Sequence, residues 1–180
     1  MRIPLIIGNW KMNKTISESL ELVKALHYGF EYSQSSKFEI VVSPPYTALN
    51  KVAEFLKDSF ISVGAQDLFW EESGAFTGAI SAPMLKDAGA EYVIIGHSER
   101  RQLFNETDST VNKKIKAALK HNLIPVFCVG ETLQERESGQ VNTVIETQFL
   151  GGLIDITPED MTKLVIAYEP VWAIGTGKTA

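Results

Sequence analysis

Glu169 stands at the end of an apolar run, Leu164 to Ala167 followed by Tyr168, and is followed at once by Pro170. A lone carboxylate at the carboxyl end of a buried strand is placed where α/β folds keep their chemistry. Pro170 fixes the backbone after it, and Trp172 can exclude water and so raise the basicity of the carboxylate, which suits a general base. Val171-Trp172-Ala173-Ile174-Gly175-Thr176-Gly177-Lys178 follows, a small and Gly-rich segment. It reads as a lid whose backbone N–H groups can approach a phosphate.

Two other strand ends carry complementary groups. In Ile95-Gly96-His97-Ser98-Glu99-Arg100-Arg101, His97 opens a short polar turn predicted to be helical. Helix-start N–H groups aimed at the ring disfavour the imidazolium, and a neutral imidazole can donate a hydrogen bond to a carbonyl without becoming a cation. In Gly8-Asn9-Trp10-Lys11-Met12-Asn13, the Lys11 ammonium can hold an anionic substrate and polarise its oxygen. Each residue also has an ordinary reading: a solvated acid, a structural histidine, a surface lysine. Asn9 could be a turn residue or a substrate donor, and Glu99 could pair with Lys11 or with either neighbouring arginine.

The elements that must position these groups alternate along the chain. Val- and Ile-rich runs at Pro4–Ile7, Glu39–Val42, Ile61–Ala65, Tyr92–Ile95, Ile124–Val129 and Leu164–Ala167 lack period-two polarity. They read as parallel strands covered on both faces. Amphipathic helices are predicted between them. Ser17–Tyr28 carries Leu20, Val23, Ala25 and Leu26 on one side, and Thr47–Leu56 carries Leu49, Val52, Ala53 and Leu56. Asp108–His121 carries Val111, Ile115, Ala118 and Leu119, with lysines opposite. Asp108 and Thr157-Pro158-Glu159 suit helix starts, and Asn122 suits a stop. A doubly wound open sheet and a (β/α)8 barrel both fit. Polar residues after most strands (Asn9, Lys11, Gln66, His97, Glu169) would converge on one face only in a barrel. Strand starts recur roughly every 32 residues, and eight such units come to roughly 250, the usual barrel length, so the chain is about two units short.

Composition narrows the partners. The 180 residues suffice for a single domain and are expected to form one, 1–180. Lys and Arg number 17 against 22 Asp and Glu, for a formal net charge of −5 with no basic tract, which argues against nucleic acid. The one cysteine, Cys128, excludes an intramolecular disulfide and fits a reducing, cytoplasmic setting. Inside an apolar strand it reads as a small buried hydrophobe. The N-terminal apolar run breaks at Gly8-Asn9-Trp10-Lys11, too early for a signal sequence, and no run approaches the ~18 residues of a membrane span. His27, His97 and His121 are far apart in sequence and suggest no metal. Gly175-Thr176-Gly177-Lys178-Thr179 is not a nucleotide-binding loop, because that pattern requires glycine where Trp172 stands. A Schiff-base aldolase would need a lysine inside a late strand, and Lys163 only precedes the sixth.

Together these motifs resemble the triosephosphate isomerase family over all 180 residues and in order. Gly64-Ala65-Gln66-Asp67 is similar to the family's third-strand motif, and Gly74-Ala75-Phe76-Thr77-Gly78 to its dimer loop. The resemblance implies a TIM barrel that interconverts dihydroxyacetone phosphate and glyceraldehyde 3-phosphate, in glycolysis and gluconeogenesis, without metal or organic cofactor. It implies Glu169 as the base and His97 as a neutral electrophile, roles for which this family is the standard illustration. Lys11 would stabilise developing charge and Asn9 would orient the substrate oxygen. Gly175 N–H would bind the phosphate, and Val171 through Lys178 would close as the lid. Ser98, Glu99 and Cys128 would support the catalytic groups, Glu99 as a partner of Lys11. Thr77 would reach the neighbouring subunit's site in a homodimer.

The family's pattern continues beyond Ala180, with a Tyr-Gly-Gly-Ser segment that receives the lid and a Gly-Gly pair that binds phosphate. The expectation is therefore a C-terminally incomplete barrel, with apolar edges at its first and sixth strands and a weakened phosphate site. The alternative to an active isomerase is an inactive barrel fragment lacking strands seven and eight.

Overall fold

Residues 3–31 and 38–174 are described by the structure, a computed structural model. Their strands are β1 (Leu5–Asn9), β2 (Glu39–Ser43), β3 (Ile61–Ala65), β4 (Tyr92–Ile95), β5 (Ile124–Val129) and β6 (Val165–Tyr168), hydrogen-bonded in chain order. The helices are α1 (Ile16–Glu31), α2 (Tyr46–Leu56), α3 (Ala82–Asp87), α4 (Ser98–Leu103), α5 (Asp108–Lys120), α6 (Leu133–Glu137), α7 (Val141–Gly152) and α8 (Pro158–Met161). By backbone proximity the chain divides into two units, Met1–Val93 with His121–Leu123, and Ile94–Lys120 with Ile124–Ala180.

In the first unit, β1 and β2 pair in parallel from Leu5 opposite Glu39 to Asn9 opposite Ser43. The first strand therefore runs two residues past the predicted Ile7. Pro4 has no N–H to give, so only its carbonyl joins, accepting from Glu39 N–H at 2.9 Å. β1 also departs from the two-sided burial expected of it: exposure alternates along the strand, and Ile6 is 55% exposed. It is the first strand in the order, and among the described residues its hydrogen-bonded neighbour is β2. The inner strand β2 is buried from Ile40 to Ser43. Helix α2 buries Ala48, Leu49, Val52 and Leu56, each buried Leu or Val contributing about 1.5–3 kcal/mol. On α1 the inward positions are Ser19 and Val23, and Ala25 lies on the exposed side, contrary to the expected stripe.

In the second unit, β5 and β6 pair in parallel from Val126 opposite Val165 to Val129 opposite Tyr168. β5 is buried from Pro125 onward, whereas β6, last in the order, is half-buried. Helix α5 packs on β5 and on α7. Asn112 of α5 ties the end of α7, donating to the carbonyls of Gly152 at 2.9 Å and Ile154 at 2.8 Å. The helix starts at Asp108 as expected; Thr107 before it supplies the cap, its hydroxyl accepting from Thr110 N–H at 3.3 Å, and Asp108 pairs with Arg101 at 2.6 Å. One expectation for α5 is corrected. Lys114 is not on a solvent face: it is 4% exposed and forms an ion pair with the buried Glu106.

Candidate active site

Strand ends in the second unit bring two of the predicted groups, His97 and Glu169, together. After Ile95 the chain turns at Gly96, whose φ of 75° lies in the left-handed region that side chains disfavour. Both of its peptide groups are held by charged side chains. Gly96 N–H donates to Glu106 Oε2 at 3.1 Å, and Arg101 Nε donates to Gly96 O at 2.9 Å. This turn delivers His97 to the N-cap of α4, 5% exposed.

The cap determines the imidazole's hydrogen-bonding state. His97 Nδ1 accepts the N–H of Glu99 at 3.2 Å. A ring nitrogen that accepts does so through its lone pair, which leaves Nε2 as the nitrogen placed to donate. Nε2 faces Glu169 Oε1 at 3.5 Å, longer than an ordinary hydrogen bond. The expected use of helix-start N–H groups is thus realised by one named donor. Glu99 Oε2 lies 3.6 Å from the same Nδ1. Ser98, the first residue of α4, is buried.

Glu169 is fixed by its backbone, its N–H donating to Val129 O at 2.7 Å. Its Oε2 is buried and, among the described residues, has no hydrogen-bond partner. A carboxylate oxygen held in this way is available to accept a proton. Gly96, Ser98, Val129, Gly130, Glu169 and Val171 line a cavity of about 190 Å³. Cys128, 1% exposed, lies beside Glu169. Burial, and next the negative charge of Glu169, push its thiol well above the ordinary range, so it stays protonated and inert.

Val171, Trp172 and Ala173 form a 3-10 turn, followed by Ile174; Gly175, Thr176, Gly177 and Lys178 lie outside the described residues. The Trp172 indole Nε1 donates to Glu131 Oε1 at 3.0 Å, and the Arg136 guanidinium lies over its ring at 4.6 Å. Glu131 is fully buried and also accepts from Tyr168 OH at 3.0 Å and Arg136 Nη1 at 3.0 Å. Burial works against its charge, but the hydrogen bonds from Trp172, its own backbone, Tyr168 and Arg136 outweigh it and hold the carboxyl below the usual glutamate value. Sequence reasoning missed Glu131, although it carries the signal used for the others, a polar residue just past a strand.

In the first unit, Asn9, Lys11 and Gln66 form one cluster at the strand ends. Lys11 has φ 54°, left-handed and unusual for a side-chain-bearing residue. Asn9 Oδ1 accepts Lys11 N–H at 3.0 Å. Gln66 Nε2 donates to Lys11 O at 2.9 Å and to Ser43 O at 2.9 Å. Asn9 thus makes the contact of a turn residue. Thr77 is exposed, in a loop with Phe76 at 44% exposure. Among the described residues, no group of three or more His, Cys, Asp or Glu could hold a metal ion, and no helix is long and apolar enough to cross a membrane.

Comparison with known proteins adds a second line of evidence. The sequence model of the family Triosephosphate isomerase matches residues 4–180. A triosephosphate isomerase of Alkaliphilus metalliredigens is 54% identical over 180 residues, which is 100% of this chain and 71% of that protein. One of Clostridium botulinum is 56% identical over the same shares. The crystal structure of triosephosphate isomerase from Bartonella henselae superposes with a TM-score of 0.86 at 44% identity, covering 94% of this chain and 68% of that one. The fold class is accordingly the TIM barrel, represented here by six parallel strands.

Proposed function

The chain belongs to the triosephosphate isomerase family, and from that premise we propose that Glu169 and His97 carry out the proton transfers that interconvert dihydroxyacetone phosphate and D-glyceraldehyde 3-phosphate. Glu169 takes a proton from the carbon beside the carbonyl, and the electron pair of that C–H bond forms the carbon–carbon double bond of an enediolate. His97 donates its Nε2 hydrogen bond to the carbonyl oxygen and moves a proton between the two oxygens. Glu169 returns its proton to the neighbouring carbon, so no atom or electron is gained or lost. Lys11 supplies positive charge for the developing oxyanion and Asn9 helps orient its oxygen. The segment from Val171 to Lys178 acts as the lid, with Gly175 N–H at the phosphate, and Ser98, Glu99 and Cys128 support the catalytic groups.

The observation that carries this reading is the single hydrogen bond from Glu99 N–H to His97 Nδ1, which presents an Nε2 proton toward the carboxylate of Glu169. A cytoplasmic homodimer formed through the Thr77 loop belongs to the same reading, supported by the exposure of Phe76 and of Met12, the latter 96% exposed. So does treating both units as one domain, since β4 contributes residues to each. The test is isomerisation of dihydroxyacetone phosphate by the purified protein in deuterated water, beside a Glu169→Gln variant. Turnover with solvent deuterium incorporated at carbon is expected, falling by about 10³-fold in the variant. Equal rates in the two proteins would leave the non-enzymatic alternative standing.

A further inference from the structure

We propose that Gln148 of α7 is a positioning residue for Glu169, acting through the peptide groups of Gly130; the inference rests on the reading of Glu169 as the base. The pairing of β5 with β6 continues past both strands. Glu169 N–H donates to Val129 O at 2.7 Å, and Val171 N–H donates to Glu131 O at 3.0 Å. In a parallel ladder the residue between two such partners turns its own N–H and C=O to the opposite side. There the peptide groups of Gly130 meet the Gln148 side chain. Gln148 Oε1 accepts Gly130 N–H at 2.9 Å, and Nε2 donates to Gly130 O at 3.0 Å. A primary amide offers the donor and acceptor of a peptide, so this one side chain takes the place of a neighbouring strand.

The other side of Gly130 is in close contact with the base. A Cβ built on Gly130 would fall 1.8 Å from the Glu169 carbonyl oxygen. Backbone is packed on backbone there, with no side chain between to absorb a movement. A rotation of the Gly130 peptides therefore displaces Glu169, and Gln148 is the group that opposes the rotation. Gln148, Gly130 and Glu169 line the same cavity. Leucine at 148 would fill a similar volume but leave both peptide groups without this partner. Glutamate would keep the acceptor, lose the donor, and set an oxygen against Gly130 O.

The test combines kinetics with amide hydrogen exchange on the full chain. Gln148→Leu is expected to lower kcat by about 10- to 100-fold, the cost of a sub-ångström to 1 Å misplacement of the base, with KM changed by less than about threefold. Thr147→Ala, on the exposed side of the same helix, leaves both constants at the parent values. In the Leu variant the N–H groups of Gly130 and Glu169 exchange at least about tenfold faster, while Val126 and Phe127 within β5 keep their protection. Faster exchange at Gly130 with kcat within twofold of the parent overturns the proposal. So does unchanged exchange at Glu169 N–H. Should the Leu variant not fold, Gln148→Glu provides the same readouts with half of the clamp intact. A parent protein without turnover would count against the isomerase reading of this chain rather than against the clamp, and exchange at Glu169 N–H would still decide whether Gln148 positions it.

Discussion

The turns at Lys11 and at Gly96 meet the same backbone requirement in opposite ways. Both residues are left-handed, at φ 54° and 75°, and both follow strands whose ends carry candidate catalytic groups. At Gly96 the turn residue contributes no side chain, and glycine takes the conformation at little cost. At Lys11 the turn residue is itself the proposed source of positive charge, so glycine is not an option and the strain, about 1–2 kcal/mol, has to be borne. The holding groups differ as well. Neutral amides, Asn9 and Gln66, hold Lys11. An anion and a cation, Glu106 and Arg101, hold Gly96. A charged clamp is the stronger one, but it must itself be neutralised, and the burial of Lys114 is the consequence.

That dependence gives the largest effect expected. Lys114→Met leaves Glu106, whose side chain is 3% exposed, without its closest cation, and breaking a buried pair in this way costs about 3–5 kcal/mol. Urea unfolding followed by circular dichroism measures it. A loss under about 1 kcal/mol would mean that Arg100, whose Nε lies 3.7 Å from Glu106 Oε1, suffices alone, and that the two turns differ less than their chemistry implies. The opposite sign is expected at the other turn. Lys11→Gly relieves the left-handed strain and should raise stability by about 0.5–1 kcal/mol while removing the charge proposed to stabilise the oxyanion. A stable but inactive variant sharpens the contrast between the two turns; a destabilised one would show that the Lys11 side chain contributes more packing than its backbone loses in strain.

Lys114 also shows what could be read from the sequence and what could not. The strand ends were legible because an apolar run followed by a polar residue is a local pattern, and Glu169, His97 and Lys11 each sit in one. The burial of Lys114 was half legible. Val111, Lys114, Ile115 and Ala118 follow the i, i+3, i+4, i+7 spacing of a helix's inner face, so the lysine stood inside the apolar stripe and was nonetheless assigned to the opposite side. Its partner Glu106 lies outside the helix, where periodicity says nothing. The clamp of Gly130 by Gln148 was not legible at all, because a glutamine on a helix carries no sign of which distant peptide its amide will meet. β1 and β6 read as covered strands from composition alone, but coverage depends on neighbours in the sheet, and each is an end strand in the observed order.

The smallest effect expected is one of pH, and it separates charged from neutral clamps directly. Glu131 holds the turn after Glu169, accepting from the Trp172 indole, Tyr168 OH and Arg136. Its carboxyl lies below the ordinary glutamate value of 4.5 in the folded protein. For a depressed group the sign is fixed: the stabilisation is complete above about pH 4.5, the unfolded value, and is lost as the pH falls through the lower folded value. The Tyr168 hydroxyl, raised by burial and then by Glu131 itself, stays protonated over this range, so the change at this contact is that of Glu131. Acidification from pH 6 toward about 3 should therefore speed exchange of the Trp172 indole N–H, relative to its intrinsic rate, before the protein unfolds. Over the same interval the Lys11 N–H, held by an amide oxygen that does not titrate, should keep its protection. Loss of protection at both together would mean that acid acts on the whole molecule rather than on the Glu131 carboxylate. Retention at Trp172 down to global unfolding would mean that the protonated carboxyl holds the indole as well as the charged one does.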